Sequence, residues 1–162
     1  MKAEILAGEL LKKHHLKLAT AESCTGGLIG YKITRIAGAS IYFVGGVIAY
    51  ANETKVRLIG VNQQTLDDFG AVSQETVLEM ARGVRQVMGA DIGLAVSGIA
   101  GPGGGTPQKP VGSIWIALSA PDLNQAWFYH FQGDRNRVNE QAADKALFLL
   151  SEYSIRHRNG ID

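Results

Sequence analysis

Cysteine is nearly missing. Cys24 stands alone among 162 residues, which excludes an intrachain disulfide and sets the expectation of a reducing, cytoplasmic compartment. A chain of this length buries about 70% of the surface it exposes when unfolded, enough for a core without disulfide or metal staples. Long apolar runs are missing too. No window approaches 18 apolar residues, and the opening MKAEILAGELLKKHHLK mixes charge into its apolar positions, so neither a membrane span nor a signal peptide is expected. Neither charge is in excess: 16 Lys+Arg face 15 Asp+Glu, a net +1. That balance argues against a nucleic-acid binder working through a broad basic surface, while a local basic pocket remains open. No His, Cys, Asp and Glu residues fall at zinc-site spacing, and no carboxylate pair is placed for glycosidase chemistry. The expectation is one globular domain over 1–162. What the chain has in plenty is glycine, 20 residues or about 12% against a usual ~7%.

Hydrophobic spacing predicts a helix over Lys2–His15, a short strand over Leu16–Ala21 and a helix over Leu28–Ala37 stopped by Gly38. A strand follows over Ile41–Ala51, where Gly45-Gly46 suggests a bulge or a close backbone approach. Asn52 reads as the cap of a helix over Glu53–Ile59. A further short helix covers Gln63–Phe69, and Ser73 caps a longer one over Gln74–Met88. Ile92–Val96 is an apolar strand and Ser97–Pro110 a loop. Val111–Ser119 and Gln125–Phe131 form an antiparallel hairpin. The last helix runs from Gly133-Asp134-Arg135 to about Tyr153, with Ser154–Asp162 expected to fray. Strands alternating with helices imply an α/β layered fold, and the late hairpin makes its sheet mixed. Ligands in such folds gather at the carboxyl ends of strands, which singles out the loops Glu22–Gly27 and Ser97–Gly105.

In the first loop a hydroxyl between a strand and a glycine-led helix start would lie beside free backbone N–H groups able to hold an oxyanion or an anionic ligand. The simpler reading is that Ser23 or Thr25 caps the helix. Cys24 is a rival nucleophile, but His14, His15, His130 and His157 lie in contexts without evident aim at it. Lys55 sits in a helix first turn, where the dipole lowers an amine pKa, and a neutral amine is what a Ser–Lys dyad needs. Spacing alone nonetheless reads it as a solvated surface lysine. Gly98, Gly101, Gly103, Gly104 and Gly105 read as bare backbone offered to a phosphate or nucleotide rather than as packing glycines, with a flexible hairpin tip as the alternative. Arg135 and Arg137 at a helix start disfavour the macrodipole and suggest an anion nearby, or else a solvated basic turn.

Together TAESCTGG at 20–27, YANETK at 50–55, IGV at 59–61, GAVS at 70–73, SGIAGPGGGTPQKPVG at 97–112 and GDR at 133–135 resemble the C-terminal domain of the competence/damage-inducible protein CinA. Stand-alone members of that family are nicotinamide mononucleotide deamidases of the PncC type; larger members carry an additional N-terminal domain. The resemblance implies a three-layer α/β/α sandwich with a mixed, mostly parallel sheet. It also implies hydrolysis of the carboxamide of nicotinamide mononucleotide to nicotinate mononucleotide and ammonia. It places the nucleophile on Ser23 and the catalytic lysine on Lys55. Substrate contacts fall on Tyr50, Ser97 and Arg135, joined by Gly98, Gly101 and Gly104, and by Thr25 and Gly26 as oxyanion or ligand contacts. No metal or redox cofactor is needed. The sequence departs from the family where Val138 is followed by Asn139, a position often held by arginine; Arg137 is the candidate to replace that charge. A homo-oligomer, in the first place a dimer, is expected, and the apolar strand residues Ile41–Ile48 and Trp127–Phe131 suit a subunit contact as well as a core. The reading from another class is a pyridine-nucleotide-binding or regulatory module without turnover, which would use the glycine loop and Arg135 but would not need Ser23 and Lys55 together.

Overall fold

Five strands set the frame of the structure, a computed structural model that describes residues 2–158. In chain order the elements are α1 (Ala3–Lys13), β1 (Leu18–Glu22), α2 (Leu28–Thr34), a 3-10 turn (Ala39–Ile41), β2 (Phe43–Ile48), α3 (Asn52–Ile59) and α4 (Gln63–Phe69). Then come α5 (Gln74–Val87), β3 (Ile92–Gly98), β4 (Ser113–Ala120), β5 (Leu123–His130) and α6 (Arg135–Arg158). The sheet order is β2-β1-β3-β4-β5. β1 pairs in parallel with both β2 and β3, and β4 runs antiparallel to its two neighbours, so β4 alone opposes the common strand direction.

The two faces of the sheet carry different side chains. One presents Leu18, Ile92, Leu94, Val96, Ile114, Ile116 and Leu118 to α1, α2 and α6. The other presents Ala19, Ala21, Ala95 and Ala117 to α3, α4 and α5. This is a three-layer α/β/α arrangement, and the small-residue face lets α5 approach closely. At Gly93 a Cβ would collide with the Ala81 carbonyl oxygen of α5. Gly93→Ala is therefore expected to destabilise the fold by about 1–3 kcal/mol, read as a lowered urea midpoint.

Several local expectations hold. Ser73 caps α5 by accepting from Thr76 N, and the β1–β2 register shifts where Val44 is left over before Gly45. Gly46 makes a close approach, since a Cβ there would meet Thr20 Oγ1. Others need correction. The cap of α3 is Ala51, without a side-chain bond, and Asn52 is already helical. Helix α2 stops at Thr34, before the expected Ala37, and Gly38 instead opens the 3-10 turn with a φ of 82°. Strand β3 continues through Ser97 and Gly98. Helix α6 runs past Tyr153, over residues expected to fray, because Tyr153 reaches the β4–β5 turn by donating to Asp122 Oδ1 (2.6 Å) and Ser154 is fully buried. The remainder of that expected tail, 159–162, lies outside the described residues.

Candidate active site

β1, β2 and β3 all point their carboxyl ends at one edge of the sheet, and the chain leaves β1 there at Ser23. Ser23 is fixed on both sides: its N–H donates to Val96 O of β3 (3.0 Å) and its carbonyl accepts from Gly26 N (3.1 Å). Gly26 (φ 59°) and Gly27 (φ 101°) then turn the chain through the left-handed region, which glycine adopts without steric cost. The turn aims the first amides of α2 back at Glu22. That carboxylate, 2% exposed, accepts from Thr25 Oγ1 (2.7 Å), Gly27 N (3.1 Å), Ile29 N (3.0 Å) and Gly30 N (2.8 Å). So neither Ser23 nor Thr25 caps α2; Glu22 does, and it takes up the amides that sequence reading offers to a ligand.

Lys55 departs furthest from its sequence expectation. It is 1% exposed and reaches from α3 back to the end of β2. There Nζ donates to Ala49 O (2.8 Å) and Tyr50 O (3.0 Å), and lies 3.2 Å from Ser23 Oγ. Among the described residues no carboxylate lies within ion-pair distance of it. Burial pulls its pKa below the ordinary 10.5, opposed by the Cys24 sulfur. That opposition needs a thiolate, and burial pushes the Cys24 thiol up to about 12, so at neutral pH burial acts on Lys55 alone. The three oxygens match the three donors of an ammonium; a neutral amine would keep its two N–H bonds to the carbonyls and turn its lone pair to the Ser23 hydroxyl. Cys24 lines the same cavity and also packs in the core, where burial pushes its thiol up to about 12, which works against the thiolate a nucleophile needs.

Above this pair lies a cavity of about 270 Å³. Its lining brings together Ser23, Lys55, Tyr50, Ser97, Gly98, Gly101, Gly104 and Arg135, along with Ala71, Val72 and Gly103. Thr25 and Gly26 are outside it, lining a neighbouring groove with Asn139; Arg137 is in neither lining. No described histidine lines the cavity. Ser97, 1% exposed, donates its hydroxyl to Ala71 O (2.7 Å), leaving it only acceptor capacity toward a ligand. Arg135 spans the mouth, its NH1 donating to Gly101 O (2.8 Å) and its NH2 to the Tyr50 hydroxyl (2.8 Å).

The glycine loop needs a different account from the one its sequence suggests. A Cβ on Gly98 would strike Ile114, and one on Gly101 or Gly105 would strike Val111, so much of the glycine content serves packing. Among the described residues the amides of Ala100, Gly101, Gly103 and Gly104, all in the cavity lining, have no backbone acceptor. Sequence reading missed Glu22 and Ala71. The available signal for Glu22 was an acid closing an otherwise small and apolar strand, LATAE.

A layered α/β domain with a buried Ser–Lys contact at the carboxyl ends of its parallel strands is the class that fold and cavity define. The chain belongs to the CinA family: the family model for the CinA C-terminal domain matches residues 2–154. It is 49% identical over 144 residues to a CinA-like protein of Kosmotoga olearia, covering 89% of this chain and 35% of that protein. It is 45% identical over 152 residues to a CinA-like protein of Thermotoga maritima, covering 94% and 37%. The chain thus spans about a third of the length of the curated relatives it matches. Among solved structures it resembles a competence-damaged protein (CinA) superfamily protein of Klebsiella pneumoniae, with a TM-score of 0.90, 32% identity and coverage of 96% of this chain and 99% of that one. It also resembles the competence/damage inducible protein CihA of Agrobacterium tumefaciens, with a TM-score of 0.85, 37% identity and coverage of 93% and 94%. No helix among the described residues is long and apolar enough to cross a membrane.

Proposed function

We propose that this domain is an amidohydrolase that converts nicotinamide mononucleotide to nicotinate mononucleotide and ammonia. The observation that carries the proposal is the Lys55–Ser23 contact: a lysine 1% exposed, 3.2 Å from a serine hydroxyl and, among the described residues, without a carboxylate partner. A buried amine without a counter-charge is costly to keep as a cation, and a base that shares its surroundings with a hydroxyl is what nucleophilic catalysis requires. Lys55, as the neutral amine, takes the Ser23 proton while Oγ bonds to the carboxamide carbon. The carbonyl becomes an oxyanion, for which the Gly26 amide is unavailable because it is committed to Ser23 O; the Cys24 amide, next to the nucleophile on the cavity wall, is the candidate donor. Lys55 then returns the proton to nitrogen, the C–N bond breaks and ammonia leaves. Water hydrolyses the acyl-enzyme by the same proton route.

The other cavity residues suit the rest of this substrate. Ser97 can only accept, which matches the NH2 of a carboxamide. Arg135 and the amides of the glycine loop suit the ribose phosphate, and Arg135 exchanges its bonds to Tyr50 and Gly101 for phosphate oxygens. Hydrogen bonds to a charged group contribute about 1.5–3 kcal/mol, so Arg135→Ala should raise KM for nicotinamide mononucleotide by roughly 10- to 100-fold. The same variant should leave kcat within about threefold and nicotinamide riboside turnover unchanged. Initial rates with the two substrates check this; an equal loss on both would remove Arg135 from phosphate binding. The domain works as a homodimer in this proposal, paired through the β2 edge, where Val44 and Ile48 are exposed. A monomeric sedimentation coefficient would overturn that assignment.

A further inference from the structure

We infer that Glu22 is a positioning residue for the nucleophile, a role that rests on the reading of Ser23 and Lys55 as the reacting pair. Every partner of its side chain is a donor: the Thr25 hydroxyl and the Gly27 and Ile29 amides on Oε2, and the Gly30 amide on Oε1. That pattern suits the carboxylate, which only accepts. Among the described residues no cation forms an ion pair with it, so its charge is compensated by backbone dipoles and one hydroxyl. The residue next in sequence is Ser23, and all four donors belong to the turn that Ser23 opens and to the helix that follows.

The main chain of Glu22 completes the link. Its carbonyl accepts from Ala49 N (2.8 Å), and Ala49 O in turn accepts from Lys55 Nζ (2.8 Å). One residue thus ties the serine turn on its side-chain face to the lysine cradle on its backbone face, and the 3.2 Å separation of Oγ and Nζ depends on both ties. Glu22 is absent from the cavity lining. A displacement of about 1 Å in a reacting group can cost 100-fold in rate. Glutamine at this position would turn an NH2 donor toward the donors of α2, so Glu22→Gln should shift the turn without changing its volume.

The test uses a serine-directed fluorophosphonate, so it does not depend on the natural substrate. In labelling, Ser23 Oγ bonds to phosphorus, fluoride leaves and the Ser23 proton passes to Lys55. Labelling of Ser23 is followed by mass spectrometry at a temperature where circular dichroism shows every variant folded. The expected result is wild-type labelling, slowed roughly 100-fold in Glu22→Gln and roughly 10-fold in Thr25→Val, which removes one donor and keeps the carboxylate. Wild-type labelling rates in the folded Glu22→Gln protein would overturn the inference, because a purely structural role lowers stability without slowing the folded fraction. Should Glu22→Gln not fold, Thr25→Val decides: slowed labelling supports the inference and an unchanged rate overturns it. Wild-type labelling without ammonia release from nicotinamide mononucleotide would remove the proposed substrate and leave the role of Glu22 standing.

Discussion

Ser23→Ala is expected to lower ammonia release from nicotinamide mononucleotide by at least about 10⁴-fold, the scale seen when a nucleophile is removed from a site that works as a unit. Ser23→Ala removes a single oxygen from a nearly buried side chain, so the fold should persist. The oxygen that Ser23→Ala removes is the one Lys55 meets at 3.2 Å, and the neighbouring thiol offers no substitute. Cys24 lies in the core with its pKa pushed up to about 12 by burial. Cys24→Ser should therefore keep most of the activity. Ammonia assays on the two variants side by side separate the assignments: an inactive Cys24→Ser beside an active Ser23→Ala would move the nucleophile by one residue.

Lys55→Met should cost about 10²- to 10⁴-fold in kcat, the usual contribution of a positioned general base, with KM little changed. The wild-type rate should rise with pH through an apparent pKa below 10.5 and then level off, because the amine is active only when unprotonated. Lys55→Met should lose that rising limb. Stability carries the same signature. Burial lowers the folded-state pKa, while the unfolded chain titrates near the ordinary lysine value of ~10.4. Between those two values the unfolded state binds the extra proton, so stability rises with pH. The cost of burying the cation is absent above the unfolded value and is fully present below the folded one. Urea midpoints measured across that window should climb for wild type, and Lys55→Met should lose this contribution to the climb. Matching pH slopes in the two proteins would mean that Lys55 is not the perturbed group.

The regular elements were legible where local chemistry decides them. Helix α4 falls on Gln63–Phe69 as the spacing predicts, and the Ser73 cap is a side-chain bond to a nearby amide. The layered fold with one reversed hairpin also follows from alternation and turn residues. What escaped depends on partners distant in sequence. Lys55 reads as a surface lysine because nothing local shows that it turns back to the Ala49 and Tyr50 carbonyls and to a serine 32 positions earlier. The glycine run reads as ligand-facing, yet the contacts that require Gly98, Gly101 and Gly105 come from Ile114 and Val111, across the loop. Helix α6 outlasts its expected end because Tyr153 finds Asp122, 31 residues away. The motif residues Ser23, Lys55, Tyr50, Ser97 and Arg135 do meet in one cavity, whereas Thr25 and Gly26 stay outside it, supporting Glu22 and the turn instead. The opening excess of glycine thus includes packing positions at Gly93, Gly98 and Gly105 and others, Gly101, Gly103 and Gly104, that line the cavity with Ser23 and Lys55.

The most direct test is the purified wild-type protein incubated with nicotinamide mononucleotide, with ammonia and nicotinate mononucleotide quantified together. The proposed Ser23–Lys55 deamidase should release both in equal amounts, at a rate proportional to enzyme and increasing with pH. No release above the buffer control across that pH range would contradict it.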